Sequence, residues 1–190
     1  TEAIAQTMLA PVEQELRELG GEDCYGADTD TLASVVGQLL TTSGTTLAVA
    51  ESCTGGGLGA MLTTVSGSSS YFMGGIISYD NAVKVKLLGV NPEDLATAGA
   101  VSAIVAEQMA VGVRDRMGTT WGLSITGIAG PTGGSEEKPV GLVYIGLSGN
   151  DGVTSFEHRF GALRGRDWVR HLSACSALDH LRRKLLHHKL

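Results

Sequence analysis

The stretch Thr46-Leu-Ala-Val-Ala-Glu-Ser-Cys-Thr-Gly-Gly-Gly57 gives the clearest indication of how this 190-residue chain folds. Its first half, residues 46–51, is a short apolar run bounded by turn signals, which is typical of a buried parallel strand. Its second half is a glycine-rich turn, and a helix is predicted to follow over Leu58–Thr64. A strand, a tight turn and a helix in succession predict an α/β domain, with the turn at the carboxyl end of a strand.

Helices and strands alternate along the rest of the chain. Apolar residues recur at helical spacing over Ala3–Leu19 and Leu32–Leu40, and Asp30 or Thr31 can cap the second of these helices. The pattern predicts further strands at 74–79, 121–126, 140–148 and 153–160 and further helices at 81–88, 102–117 and 166–186. We therefore expect a three-layer α/β/α sandwich with a mixed, mostly parallel five-stranded sheet that contains one antiparallel strand. The domain is expected over residues 31–190, after an N-terminal helix and linker over residues 1–30.

The composition excludes several classes of protein. A formal net charge of -6 repels polyphosphate, so no nucleic-acid partner is expected. No run approaches the roughly 18 apolar residues of a membrane-spanning helix, so no membrane partner is expected either. The three cysteines, Cys24, Cys53 and Cys175, contain no CxxC pair. They fit neither a zinc site nor a disulfide framework, and they indicate a reducing compartment, which we take to be the cytoplasm.

The first candidate site is the turn that begins at Ser52. A serine between a strand and a helix N-terminus is exposed, and the amides of the turn can hold an oxyanion. The glycines let backbone N–H groups approach a ligand closely. The turn lacks the lysine of a phosphate-binding loop, which argues against a nucleoside triphosphatase. The alternative reading is a tight turn in which the serine only caps the helix.

The second candidate site is Tyr79-Asp80-Asn81-Ala82-Val83-Lys84. Asn81 can cap the predicted helix, and Lys84 lies in its first turn, where its side chain points back toward the strand end. Such a lysine can act as a base for a serine if desolvation lowers its pKa. The alternatives are that Lys84 is an ordinary surface residue or that the nearby Lys86 takes this role.

The third candidate site is the glycine-rich segment from Ser124 to Gly141. Few loops are this long without a functional reason, and Thr126-Gly127 offers a hydroxyl and an amide to a phosphate or a carboxamide. A flexible excursion between two strands is the alternative. Arg164 and Arg166 begin the last helix, and an arginine fork suits a phosphate monoester or a carboxylate.

Together these segments resemble the C-terminal domain of the CinA (competence/damage-inducible) family, whose members include nicotinamide-nucleotide amidases. The resemblance covers about residues 31–186, and residues 1–30 are similar to the region that precedes this domain in longer family members. The matching motifs are Ala50-Glu-Ser-Cys-Thr-Gly-Gly56, Tyr79-x-Asn81-x-x-Lys84, Gly99-Ala-Val-Ser102 and Thr126-Gly-Ile-Ala-Gly-Pro-x-Gly-Gly-Ser-Glu-Glu-Lys-Pro-Val-Gly141.

The resemblance implies hydrolysis of nicotinamide mononucleotide to nicotinate mononucleotide and ammonia, without a metal or cofactor. It implies Ser52 as nucleophile and Lys84 as base, with Tyr79 to orient the lysine or relay its proton. The resemblance also implies Thr126 and an arginine in the site. With the residues of the two glycine-rich segments, the expected substrate-binding set is Thr54, Gly55, Gly56, Thr126, Gly127 and Arg166. The family's Phe-x-Gly-x-Arg motif is longer here, over residues 160–166. Arg164 is therefore the alternative to Arg166 as the substrate-binding arginine. Family relatives also suggest a homo-oligomer, a dimer or a larger assembly.

Three other readings stay open at this point. Cys53 can replace Ser52 as nucleophile, although no histidine lies in the three candidate segments to serve a thiol. The chain can be a non-catalytic nucleotide-binding or regulatory module, but a pure binder has no need for a serine–lysine pair. A role in DNA uptake or repair would rest on the family name alone, since no basic stripe supports it.

Overall fold

A computed structural model describes residues 1–187 of the chain. It contains two compact units, the first over Thr1–Thr31 and the second beginning at Leu32. The first unit is a helix, α1 (Glu2–Gly20), with a short 3₁₀ turn after it. The assignment of this unit as the tail of a preceding region stays a prediction. No helix within residues 1–187 combines the length and the hydropathy that crossing a membrane requires.

The second unit alternates helices and strands as its sequence pattern predicts. In chain order its elements are α2 (Leu32–Ser43), β1 (Leu47–Glu51), α3 (Gly57–Thr63), β2 (Phe72–Ile77), α4 (Asn81–Leu88), α5 (Pro92–Thr97), α6 (Ala103–Met117), β3 (Trp121–Gly127), β4 (Leu142–Gly149), β5 (Gly152–Arg159) and α7 (Gly165–His187). The short helix α5 is absent from the sequence prediction, because six residues are too few to show a helical period.

The five strands form one mixed sheet in the order β2-β1-β3-β4-β5. β1 pairs in parallel with both β2 and β3, whereas β4 is antiparallel to β3 and to β5. β4 is therefore the single strand that runs against the other four, which confirms the predicted sheet. β1 is buried along its whole length, as expected for a parallel strand that is covered by helices on both faces.

Two apolar clusters cover the two faces of the sheet. The larger cluster packs α2, α3 and α7 against the sheet, with Trp121 and Leu178 among its fully buried side chains. The smaller cluster packs α4 and α6 on the opposite face, around Met109. α6 approaches the sheet so closely that a Cβ at Gly122 or Gly146 would collide with a carbonyl of this helix. These glycines are required for the contact between helix and sheet.

The helix caps correct two details of the sequence prediction. Asp80, not Asn81, is the N-cap of α4, and its side chain accepts a hydrogen bond from the Ala82 amide. Both residue types are good caps, and the choice is made by the extended backbone of Asp80. Ser102 is the N-cap residue of α6 as predicted, but its hydroxyl donates to the Gly99 carbonyl instead of accepting from the helix.

Candidate active site

Ser52 and Lys84, the candidate nucleophile and base, lie side by side. Ser52 directly follows β1, and Lys84 is in the first turn of α4, which begins shortly after β2. Since β1 and β2 are parallel neighbours, their carboxyl ends meet at the same edge of the sheet. Lys84 Nζ lies 3.2 Å from Ser52 Oγ, within hydrogen-bond distance.

Burial shifts Lys84 toward the uncharged amine. The side chain is 1% exposed, and this burial lowers the pKa of Lys84, while the Asp80 carboxylate raises it in part. Nζ also donates to the carbonyls of Ser78, at 2.7 Å, and Tyr79, at 3.3 Å. A neutral amine has two N–H donors and one lone pair. In the neutral form the two carbonyls take both donors and leave the lone pair for the Ser52 hydroxyl, whereas in the ammonium form the third donor goes to Ser52 Oγ.

Glu51, the last residue of β1, holds the turn that carries Ser52. Its carboxylate is 2% exposed and accepts three backbone N–H bonds from the start of α3. Oε2 accepts from Gly56 at 3.0 Å and from Leu58 at 3.1 Å, and Oε1 accepts from Gly59 at 2.8 Å. These bonds satisfy amides that a helix start leaves without partners. This role of Glu51 was not predicted from the sequence. An acidic residue at the end of a buried apolar strand is the signal that indicates it.

Two of the turn amides that the sequence offered to an oxyanion already have acceptors within the protein. The Gly55 amide donates to the Ser52 carbonyl, and the Gly56 amide donates to Glu51. These two amides are therefore engaged before a ligand arrives. Thr54 is fully buried. Neither Thr54 nor the two glycines, Gly55 and Gly56, line the cavity beside Ser52.

Arg170 of α7 adds a second support for the turn, which the sequence analysis also missed. Its Nη2 atom donates to the Thr54 carbonyl at 2.8 Å, so the last helix is tied to the turn that follows the nucleophile. The signal for this role is spacing, because Arg170 follows Arg166 by one helical turn and lies on the same side of α7.

A cavity of about 360 Å³ opens next to Ser52. Its walls come from the ends of β1 and β3, the start of α4, the segment before α6, the glycine-rich loop after β3, and the start of α7. The predicted site residues that line it are Ser52, Tyr79, Lys84, Thr126, Gly127 and Arg166. Asn81, predicted only as a cap, lines it as well.

Arg166 is the arginine that faces this cavity. It joins two walls, since Nη1 donates to the Gly130 carbonyl at 2.9 Å and Nη2 donates to the Tyr79 hydroxyl at 3.1 Å. The guanidinium of Arg164 instead lies over the Trp168 ring, 4.8 Å from its centre, and Arg164 does not line the cavity. Position therefore separates the two arginines that the sequence left as alternatives.

Tyr79 contacts Lys84 in a way that the sequence did not predict. Its backbone carbonyl accepts a hydrogen bond from Lys84 Nζ, whereas its hydroxyl accepts one from Arg166. The Tyr79 side chain is 61% exposed. The ring is therefore largely open to solvent, and it is the main chain of Tyr79 that contacts the Lys84 amine.

Thr126 and Gly127 lie at the end of β3 and form part of the cavity wall. The Thr126 hydroxyl donates to the Ala100 carbonyl at 2.8 Å, so this side chain also holds the segment before α6. A Cβ at Gly127 would lie 2.7 Å from Val143 Cγ2, which means that the glycine is needed for the packing of β3 on β4. Both residues have a structural role in addition to lining the cavity.

The environment of Cys53 argues against a thiolate nucleophile. Burial raises the pKa of this thiol to about 11, so it is protonated at neutral pH. Within residues 1–187, no histidine lines the cavity to serve as its base. The fifth histidine, His188, lies outside the described residues.

Comparisons with known proteins give the same family that the sequence motifs resemble. The sequence model of the CinA C-terminal domain matches residues 29–185. A CinA-like protein of Nostoc punctiforme is 68% identical over 187 residues, which are 98% of this chain and 45% of that protein. A CinA-like protein of Synechococcus elongatus is 67% identical over 98% of this chain and 44% of its own length. The chain thus spans less than half the length of these curated relatives.

Solved structures share the fold. The competence/damage inducible protein CihA of Agrobacterium tumefaciens superposes with a TM-score of 0.79 at 41% identity, covering 82% of this chain and 94% of that one. A CinA superfamily protein of Klebsiella pneumoniae superposes with a TM-score of 0.79 at 29% identity, covering 83% and 97%. The names of these proteins specify no reaction.

Proposed function

Since the chain belongs to the CinA C-terminal domain family, we propose that it is an amidohydrolase that converts nicotinamide mononucleotide to nicotinate mononucleotide and ammonia. The observation that carries the proposal is the buried contact between Lys84 Nζ and Ser52 Oγ at the cavity wall. A buried lysine with a lowered pKa beside a serine hydroxyl is the arrangement of an activated nucleophile.

The first half of the reaction is acyl transfer to Ser52. Neutral Lys84 takes the hydroxyl proton as Oγ attacks the carboxamide carbon, and a tetrahedral intermediate forms. Protonated Lys84 then lies next to the negative charge of the intermediate and stabilises it. The same ammonium gives its proton to the departing nitrogen, so ammonia leaves and an acyl-enzyme remains. Water clears the acyl-enzyme by the same steps in reverse order, again with Lys84 as base.

Arg166 and Tyr79 are proposed to bind the nucleotide part of the substrate. The guanidinium lines the cavity, with Nη1 donating to the Gly130 carbonyl and Nη2 donating to the Tyr79 hydroxyl. Arginine binds a phosphate monoester through paired, charge-assisted hydrogen bonds. The exposed tyrosine ring offers an apolar surface to the pyridine or ribose. Gly127 and Thr126 complete the wall on the other side of the nucleophile.

The direct test is ammonia release from nicotinamide mononucleotide. Ser52→Ala is expected to lower kcat by roughly 10³-fold or more while leaving substrate affinity and the unfolding midpoint close to those of the parent protein. Ser69→Ala is the matched control, because Ser69 is exposed and does not line the cavity. Near-normal turnover by the Ser52 variant would rule out the mechanism.

Two further measurements separate the alternatives. Alkylation of thiols is expected to leave turnover intact, whereas loss of activity on modification of Cys53 would favour the cysteine. Tight binding of the mononucleotide without ammonia release by the parent protein would indicate a non-catalytic nucleotide-binding module. The cytoplasmic location and the homo-oligomeric state stay predictions.

A further inference from the structure

The segment between α5 and α6 forms one wall of the cavity, and side chains hold the carbonyls of residues 98–101. Ala100 and Val101 line the cavity directly. The Gly99 carbonyl accepts from the Ser102 hydroxyl, and the Ala100 carbonyl accepts from Thr126. The Ala98 and Val101 carbonyls remain, and one ammonium group occupies both.

That ammonium belongs to Lys138, which lies near the far end of the glycine-rich loop. Its Nζ atom donates to the Ala98 carbonyl at 2.5 Å and to the Val101 carbonyl at 2.7 Å. The loop around Lys138 is itself closed, because the Lys138 amide donates to Ser135 Oγ and the Ser135 amide donates to the Lys138 carbonyl. A single side chain thus connects two irregular segments that are about forty residues apart in the sequence.

Gly99 makes room for this connection. Its backbone has a φ of +74°, in the left-handed region that glycine adopts without strain, and a Cβ at this position would lie 3.2 Å from Lys138 Nζ. A larger residue here would crowd the ammonium. The Gly99-Ala-Val-Ser102 motif and the lysine of the Thr126–Gly141 motif therefore contact each other.

We propose that Lys138 is a positioning residue that fixes two walls of the cavity relative to each other, and so sets how tightly the substrate is held. One wall is the segment 98–101, and the other is the loop 128–133, most of whose residues line the cavity. Lys138 does not line the cavity and touches neither Ser52 nor Lys84. It acts on the site through the main chain of these two segments. The choice of nicotinamide mononucleotide as the probe rests on the proposed function.

The test compares Lys138→Met with the full-length parent chain in two measurements. Hydrogen exchange is expected to rise by about tenfold for amides in both segments, 98–102 and 128–141, and to stay unchanged in β1 and α6. The KM for nicotinamide mononucleotide is expected to rise by about tenfold, while kcat changes by less than about threefold, because the serine–lysine pair stays in place.

Lys86→Met is the matched control. Lys86 is exposed on α4 and makes no hydrogen bond or ion pair to the described residues, so this variant removes the same charge without breaking the contact. It is expected to match the parent protein in both measurements. Unchanged exchange in the two segments of Lys138→Met overturns the proposal, and so does a rise spread evenly over the whole domain. The exchange data test the contact even if the parent protein releases no ammonia, so failure of the proposed function is recognised separately.

Discussion

Replacement of Glu51 by glutamine is expected to destabilise the domain strongly, although it only exchanges one carboxylate oxygen for an NH₂ group. The carboxylate accepts three amide bonds, two at Oε2 and one at Oε1. A glutamine keeps one oxygen, which can serve Gly56 and Leu58, but its NH₂ group then faces the Gly59 amide, donor against donor. One buried amide loses its acceptor, at a cost of about 1–3 kcal/mol, and two bonds lose their charge assistance at about 1 kcal/mol each. Since a neutral amide is cheaper to bury, the net loss is about 3 kcal/mol.

Urea unfolding followed by circular dichroism measures this loss, and ammonia release measures its effect on the site. Because Glu51 fixes the turn after β1, kcat is expected to fall by about tenfold or more as Ser52 becomes less well placed. Glu107→Gln is the control, because Glu107 is partly buried and its carboxylate accepts a single bond, from Ser155 at 2.7 Å. This variant is expected to lose less than about 1 kcal/mol. If Glu51→Gln is no less stable than Glu107→Gln, the carboxylate does not hold the turn.

Three more outcomes follow from the contacts of the site and of α7. Asp80→Asn keeps a capping side chain but removes the charge that raises the pKa of Lys84, so the acid limb of kcat/KM is expected to move to lower pH; an unmoved limb would mean that Lys84 is not the titrating base. Arg166→Met is expected to raise KM for the mononucleotide about 10–100-fold, and Arg164→Met to leave KM within about twofold, as steady-state kinetics would show. Burial lowers the pKa of His180 from 6.5 to about 4, so the folded state resists its protonation and stability is lost as pH falls below 6.5. Urea unfolding at pH 7 and pH 5 measures the free energy of unfolding that is lost between these pH values. His180→Phe is expected to lose less of it than the parent protein, and the difference is at most about 2 kcal/mol because the ring is partly exposed. Equal losses in the two proteins would refute this.

The sequence predicted those parts of the site that depend on local structure. A buried apolar strand followed by glycines placed Ser52 at a strand end, and helical geometry pointed Lys84 back toward the next strand end. Both predictions use only the direction of the chain and the period of its elements. The contact of 3.2 Å between the two side chains then follows from the parallel pairing of β1 and β2.

The parts that the sequence did not predict depend on contacts between irregular segments. Lys138 reaches carbonyls about forty residues away, and neither partner lies in a helix or strand whose period would announce it. The choice between Arg164 and Arg166 depends on where α7 begins relative to the glycine loop, which no local pattern encodes. The engaged amides of the glycine turn were missed because Glu51 reads as the end of a strand, whereas its side chain belongs to the next helix.

The strand order explains why Lys84 and the cavity walls come together at Ser52. The chain leaves β1 to form β2 on one side and then returns past β1 to form β3 on the other side. The intervening helices lie on opposite faces of the sheet, with α3 on the face of α7 and α4 on the face of α6. At such a switch point the two connections diverge and leave a crevice beyond the strand ends. Ser52 lies at the end of the central strand of the three, so Lys84 from the β2 side and a cavity wall from the β3 side can reach it together. A single reversal of strand order therefore accounts for both the cavity and the position of Ser52, the proposed nucleophile.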